Sequence, residues 1–460
     1  MIRNFLFILF YVLLLNGCQK NLTVFNVFSF GASGKGVTLD TEAIQSAIDA
    51  CTEAGGGTVV FPAGTYLSGT LMLREHVNLH LEEGATLLGS INLEDYPEIK
   101  SQVPHYYQDV VLRSLIFGEN LSHVSITGKG TIDGQGAAFV VRTSKKPDRY
   151  LDRPYIIRMI DCRNVLVQDI NMRNSAMWMQ HYLACENLTV SGIKVYNHAN
   201  QNNDMIDIDG CRNVIISDCY GDTDDDALTF KSTSEHPCEN ITVTNCVLSS
   251  HCNAIKCGTE STGGFKNIAI SNCIIKPSAE NDPIFGLRNG ISGISIEVVD
   301  GGVMNGITIS NISMDGPEVP IFIRLGNRAR KHTPEAEIPT VGQLSNVLIT
   351  QVIARNTGKT GCSITGIPGH PVRNISLSNM ILEFAGGIQE PVRPADVPEL
   401  EDQYPESTMF GHLPAYAFFI RHAEDISLSD ITAITLDPDK RQPVISQDVR
   451  GLTITNVPRP

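Results

Sequence analysis

A short unit recurs along this chain: a charged residue, an asparagine, then alternating apolar residues. It reads Arg163-Asn164-Val165-Leu166-Val167, Glu186-Asn187-Leu188-Thr189-Val190, Arg212-Asn213-Val214-Ile215-Ile216, Glu239-Asn240-Ile241-Thr242-Val243 and Lys266-Asn267-Ile268-Ala269-Ile270, the asparagines stepping by 23, 26, 27 and 27 residues. Later copies begin near Gly306, Asn346, Asn374, Asp425 and Gly451, with insertions between some of them. Alternation of period two marks strands with one face inward. Self-similarity at this longer period marks a solenoid, in which each unit buries its apolar face only against its neighbours. By length alone, 460 residues would hold two or three average domains. A solenoid runs that long as one, so the expectation is a single all-β domain over residues 19–460, a parallel β-helix of about ten coils.

The cysteines follow the same rhythm. Cys162, Cys185, Cys211 and Cys238 each precede the asparagine by two, and Cys219, Cys246 and Cys273 form a second series 27 apart. Small apolar side chains at equivalent places stack inside such a helix, so most of these are read as buried free thiols and not as disulfides. The asparagines are read as a hydrogen-bonded ladder at one turn. The sequons Asn187-Leu188-Thr189 and Asn240-Ile241-Thr242 belong to that ladder, which disfavours glycosylation there. Thr41 to Glu53 has helical apolar spacing (Ala43, Ile44, Ala47, Ile48, Cys51) and stops before Gly55-Gly56-Gly57, as a cap over the open end of the stack should. Pro391 to His412 is proline-rich without alternation and reads as a long loop able to line a groove.

A net charge of −15 and a pI near 5.2 argue against nucleic acid as a partner, since that binding draws on clustered Lys and Arg. The same charge gives no long-range steering of a polyanion, so an acidic sugar would have to be held by local cations. Residues 1–18 read as a targeting segment: Arg3, an apolar run from Phe5 to Leu15, then Leu15-Asn16-Gly17-Cys18. The run is short for a membrane span. The last four residues resemble a bacterial lipobox, which implies lipidation of Cys18 and an outer-membrane lipoprotein, periplasmic or cell-surface, held to the membrane only by its lipid. Plain secretion and an uncleaved anchor are the alternatives.

Several stretches match a known family. Phe30-Gly31-Ala32-Ser33-Gly34 and Gly55-Gly56-Gly57-Thr58-Val59-Val60-Phe61-Pro62-Ala63-Gly64 resemble the opening of pectin-lyase-type β-helices. Gly128-Lys129-Gly130-Thr131-Ile132-Asp133-Gly134-Gln135-Gly136, Asn202-Asn203-Asp204-Met205-Ile206-Asp207, Asp222-Thr223-Asp224-Asp225-Asp226 and Gly263-Gly264 resemble the polygalacturonases of glycoside hydrolase family 28. The resemblance spans roughly residues 25–385. It implies a right-handed, single-stranded parallel β-helix that hydrolyses a plant-type pectic polysaccharide or oligosaccharide with inversion, without cofactor or metal, as a monomer. It assigns Asp204 and Asp226 to activating water and Asp225 to general acid. Glycoside hydrolysis needs such a carboxyl pair, one protonating the leaving oxygen and one serving the opposite face of the ring. The plain alternative is a solvated acidic turn, but four acids in five residues repel one another and call for a reason to be there.

The strand register extends the reading. Leu228, Ile255, Ile294 and Ile321 begin equivalent strands, which places Thr229, Lys256, Ser295 and Phe322 in one outward column and Lys231, Gly258, Glu297 and Arg324 in another. Lys231, Lys256 and Arg324 are therefore candidate substrate-binding cations on the aspartate face. Two positions depart from the family. Its Arg-x-Lys uronate clamp falls on Ser295 and Glu297, and its histidine between glycines falls on Cys252, with His251 one residue early. His251 is the catalytic candidate; Arg324 is expected to pair with Glu297, and Lys256 either supplies a displaced cation or is an exposed lysine. The departures point to a neutral sugar or a differently held uronate, as in a rhamnogalacturonan. The rivals are a non-catalytic surface glycan-binding β-helix and a pectate-lyase-type eliminase using Ca²⁺.

Overall fold

A computed structural model describes residues 23–457; the leader and Cys18 lie outside the described residues. The chain winds into a β-helix whose strands stack in three parallel sheets. None of the described helices is long and apolar enough to cross a membrane.

The first sheet carries the repeat. Its turn residues Asn164, Asn187, Asn213, Asn240 and Asn267 all have φ between 55° and 57°, the left-handed region that asparagine enters more readily than most residues. Each amide donates to the asparagine one coil before: Asn187 to Asn164 at 3.1 Å, Asn213 to Asn187 at 3.2 Å, Asn240 to Asn213 at 3.3 Å and Asn267 to Asn240 at 3.1 Å. Gly306, Asn346, Asn374, Asp425 and Gly451 hold the same conformation in later coils. Toward the amino terminus His123 and His76 take over the corner, at φ 58° and 61°, with rings stacked 5.2 Å apart. A second ladder further along the coil was not legible in advance; it joins Asn245 to Asp218 at 3.2 Å and Asn311 to Asn272 at 2.8 Å.

All eleven described cysteines are free and buried, as the repeat implied. Six of the thiols point to the backbone carbonyl two residues earlier, as Cys162 does to Ile160 at 3.3 Å and Cys219 to Ser217 at 3.1 Å, so they complete the interior without cross-linking it. Thr41–Glu53 is an α-helix whose Ile44, Ala47, Ile48 and Cys51 are buried against the first coils.

The sheet that positions the site has twelve strands, beginning at Leu71, Ser114, Tyr155, Gln180, Ile206, Leu228, Asn253, Ser292, Val319, Cys362, Ala415 and Gln442. The stack is thus longer than ten coils, because the early coils lack the asparagine signature. Gln180–Leu183, Ile206–Asp209, Leu228–Ser232, Asn253–Ser261, Ser292–Val298 and Val319–Leu325 are buried at every position. Their outer face is roofed by long loops. Tyr107, Val111 and Tyr150 pack on Trp178, while Val397, Phe410 and Leu413 pack on Phe322 and Phe419.

Candidate active site

Adjacent residues of a strand face opposite ways, so neighbouring acids meet on one side only where the strand is interrupted. Asp225 and Asp226 sit in the corner between the strands Tyr220–Thr223 and Leu228–Ser232. The pairings Ile206↔Leu228 and Leu228↔Ile255, counted back by two residues, set Asp204, Asp226 and Asn253 in one column on successive coils, about 4.8 Å apart per coil. Asp204, Asp225 and Asp226 line one cavity of about 160 Å³ together with Lys231, Lys256, Asn253, Cys252 and Trp178. Loops close it on both sides along the helix axis: Tyr107, Lys146, Arg149 and Tyr150 come from earlier coils, Phe285, Tyr404 and Glu406 from later ones.

Buried amides fix the aspartate backbones. Asn197 donates to the Asp204 carbonyl at 3.1 Å, and Thr223 and Ser250 hydroxyls donate to the Asp225 carbonyl at 2.8 and 2.6 Å. The carboxyl groups then diverge in environment. Asp226 accepts from Asn253 Nδ2 at 2.6 Å and from Lys256 Nζ at 3.0 Å. Burial works against its ionisation, but Lys256, Lys231 and the Asn253 bond hold it below the usual carboxylate range. Asp225 accepts only from Asn202 Nδ2 at 3.2 Å and from the backbone N–H of Asp226 at 2.9 Å. Burial and the Asp226 charge push it up. Asp204 is raised well above its ordinary value by burial and by Asp207 and Asp225. Asp207, behind it, is pushed up to about 7, chiefly by burial. Lys231 lies 3.2 Å from Asp207 Oδ1 and 3.7 Å from Asp204 Oδ2, and sits 4.6 Å over the Trp178 ring. One carboxyl held low beside others pushed up is the arrangement acid/base chemistry needs.

The rest of the acidic run has other work. Asp222 accepts from His198 at 3.0 Å, Ser278 Oγ at 2.5 Å and the Ala279 N–H at 2.9 Å. Asp224 accepts from the N–H groups of Ile284 at 2.7 Å and Phe285 at 2.9 Å. These two acids fasten the 276–290 loop that carries Phe285 to the cavity. His251 belongs to the same fastening, which corrects its assignment as a catalytic group. It is fully buried outside the cavity, with Nδ1 3.0 Å from Asp224 and Nε2 3.1 Å from the Glu280 carbonyl. Cys252, on the opposite face one residue later, is the one that lines the cavity.

The cation column is realised in part. Thr229↔Lys256, Lys256↔Ser295 and Ser295↔Phe322 pair as expected, and Glu297 pairs Arg324. The column through Gly258 is broken, since Ser232 pairs Ser261 and the intervening bulge turns Glu260 into the cavity. There it accepts from Tyr107 Oη at 2.8 Å and Arg330 at 2.7 Å. Lys256 is 2% exposed and bridges Asp226 to Tyr404 Oη (3.1 Å), so it is no solvated lysine. Arg324 does not pair with Glu297. Its guanidinium donates to the carbonyls of Gly366 at 3.0 Å and Glu399 at 2.6 Å, holding down the 391–412 loop outside the cavity. Glu297 is buried, accepts from Ser295 Oγ at 2.6 Å, and is raised to about 8, chiefly by burial. Lys146, Arg149, Tyr107, Trp178 and Glu260 were not found from sequence. Only the tryptophan, the one in the chain, carried a signal.

Residues 51–395 match the model for glycosyl hydrolases family 28. A probable polygalacturonase of Vitis vinifera is 28% identical over 85% of this chain and 83% of its own length. An exo-poly-alpha-D-galacturonosidase of Dickeya chrysanthemi is 29% identical over 45% of this chain and 42% of its own. The solved family 28 exopolygalacturonase of Yersinia enterocolitica superposes with a TM-score of 0.73, at 21% identity over 94% of this chain and 78% of that one.

Proposed function

The chain belongs to glycosyl hydrolases family 28, and from that premise we propose that it is an inverting, exo-acting glycosidase that removes a terminal galacturonate-type sugar from pectic oligosaccharides. The observation that carries this reading is the single cavity in which Asp226 is held ionised by Lys256 and Asn253 while Asp225 is pushed toward its protonated form. Asp225 gives its proton to the glycosidic oxygen as the bond to the anomeric carbon breaks. Asp226 takes a proton from the water whose oxygen bonds to that carbon. Asp204, one coil away and raised well above its ordinary value, orients the water and serves less as the base. Solvent exchange returns the proton from Asp226 to Asp225.

Exo action is supported by loops closing the cavity on both sides, which leaves room for a chain end and not for a polymer lying across it. The names of the relatives from Dickeya chrysanthemi and Yersinia enterocolitica point the same way. The same reading has the enzyme exported, anchored through an acylated Cys18 and active as a monomer. The lost strand clamp at Ser295 and Glu297 favours branched or rhamnose-containing pectic fragments over plain homogalacturonan. Product analysis on a panel of pectic oligosaccharides tests all of this: single sugars with new reducing ends are expected. Ultraviolet-absorbing unsaturated products would mark an eliminase, and binding without products a glycan-binding protein.

A further inference from the structure

Four cations line the cavity, and two of them are already committed. Lys256 is bonded to Asp226, and Lys231 lies against Asp207 and Asp204. The charge of each is thus already balanced by cavity aspartates, which leaves it less to offer a substrate carboxylate. The other two, Lys146 and Arg149, form no ion pair with a protein carboxylate among the described residues. Arg149 spends one terminal nitrogen on Gln201 Oε1 at 2.7 Å, and its buried Nε has no partner. Lys146 has its ammonium 4.5 Å over the Tyr404 ring, at the cavity wall.

These two side chains are three apart on a turn that runs into the 3₁₀ segment Asp148–Tyr150, and both reach the cavity wall. The turn is held rigidly. Arg153, 2% exposed, donates to the Arg149 carbonyl at 2.8 Å, to the Gln201 carbonyl at 2.6 Å and to Asn202 Oδ1 at 3.0 Å. Asn202 in turn donates to Asp225. The cation turn is thereby registered against the general acid. A guanidinium with no carboxylate partner fits a planar carboxylate, and an ammonium adds a second charge.

We propose that Lys146 and Arg149 are the carboxylate clamp of this site, replacing the strand positions Ser295 and Glu297, and that they select a uronate over a neutral sugar at the chain end. The inference rests on the exo-galacturonidase reading and names what holds the acid. It explains how an acidic protein whose strand clamp is gone still receives an anionic sugar: the cations have moved from a strand on the later side of the aspartates to a turn on the earlier side.

The test compares trigalacturonate with its fully methyl-esterified form, in which each carboxylate becomes a neutral ester larger by one methyl group. In Arg149→Ala, kcat/KM on the free acid should fall about tenfold or more, mostly through KM, while the ester changes by no more than about threefold. Arg149→Lys should recover part of the loss. Lys146, whose side chain is exposed, provides a second variant with little risk to folding, and Lys146→Ala should show the same bias. Equal losses on acid and ester would make the turn merely structural and overturn the clamp, as would unchanged acid kinetics in both alanine variants. A wild-type enzyme that releases sugar only from neutral substrates would instead overturn the galacturonidase reading itself, and the clamp with it.

Discussion

The asparagine sheet and the catalytic-face sheet share one interior and differ outside. On the first, outward positions meet water: Arg212 and Asn213 are exposed, and Ile215 is 52% exposed. On the second, even outward polar residues such as His181, Asp207, Lys256 and Glu297 are 2% exposed or less. A polar group in water can be exchanged at little cost, whereas a buried one must be paired or its charge shifted. Repetition therefore survives on the exposed sheet, and individuality is confined to the covered one. Within five residues the contrast recurs. Asp222 and Asp224 accept bonds that hold a loop, and Asp225 and Asp226 keep oxygens toward the cavity.

The sharpest way to break this comparison is to change one polar residue on each sheet. Asp225→Asn should lower kcat by about 10²–10⁴-fold with unchanged thermal stability, whereas Asn213→Ala should leave kcat alone. A rate loss in the second variant comparable to the first would mean the ladder reaches the site.

A smaller effect should follow from Lys256→Ala, which strips a cation from Asp226. In the proposed mechanism Asp226 acts only when ionised, so activity is present above its pKa and is lost as pH falls through it. Its pKa is now depressed, with Lys256 the leading charge that depresses it, so the acid limb of kcat/KM should move to higher pH in the variant. In the same mechanism Asp225 acts only when protonated, so its raised pKa sets the alkaline limb, and because Lys256 is also the leading charge that lowers it, that limb should move to higher pH as well. An acid limb that stays where it is would show that Lys256 does not act through Asp226.

The smallest effect belongs to the ladder. Asn213→Ala forces a residue poorly suited to φ 57° into the corner and removes two exposed amide bonds, for a loss of about 1–2 kcal/mol in denaturant unfolding. A neutral result would make the ladder ornamental.

Particular residues show where sequence reading stops. Thr41–Glu53, the buried thiols and the Thr229–Lys256–Ser295–Phe322 column followed from spacing, because a stacked coil converts sequence period directly into position. Asp204, Asp225 and Asp226 were reached through family motifs, and their convergence needed the corner geometry. His251 was misplaced by one residue, and at a strand edge one residue decides between the cavity and the loop behind it. Lys146 and Arg149 lie in an insertion with no period at all.

The sequence by itself determined the solenoid, its register and its acids, since those depend on local alternation and a fixed rise per coil. Only the tertiary structure decided which acids face the cavity, that Arg324 clamps a loop and not Glu297, and which cavity cations stay unpaired among the described residues. Those outcomes depend on loops from distant coils folding over one sheet, and a loop's landing place is set by what it packs against, not by its own pattern.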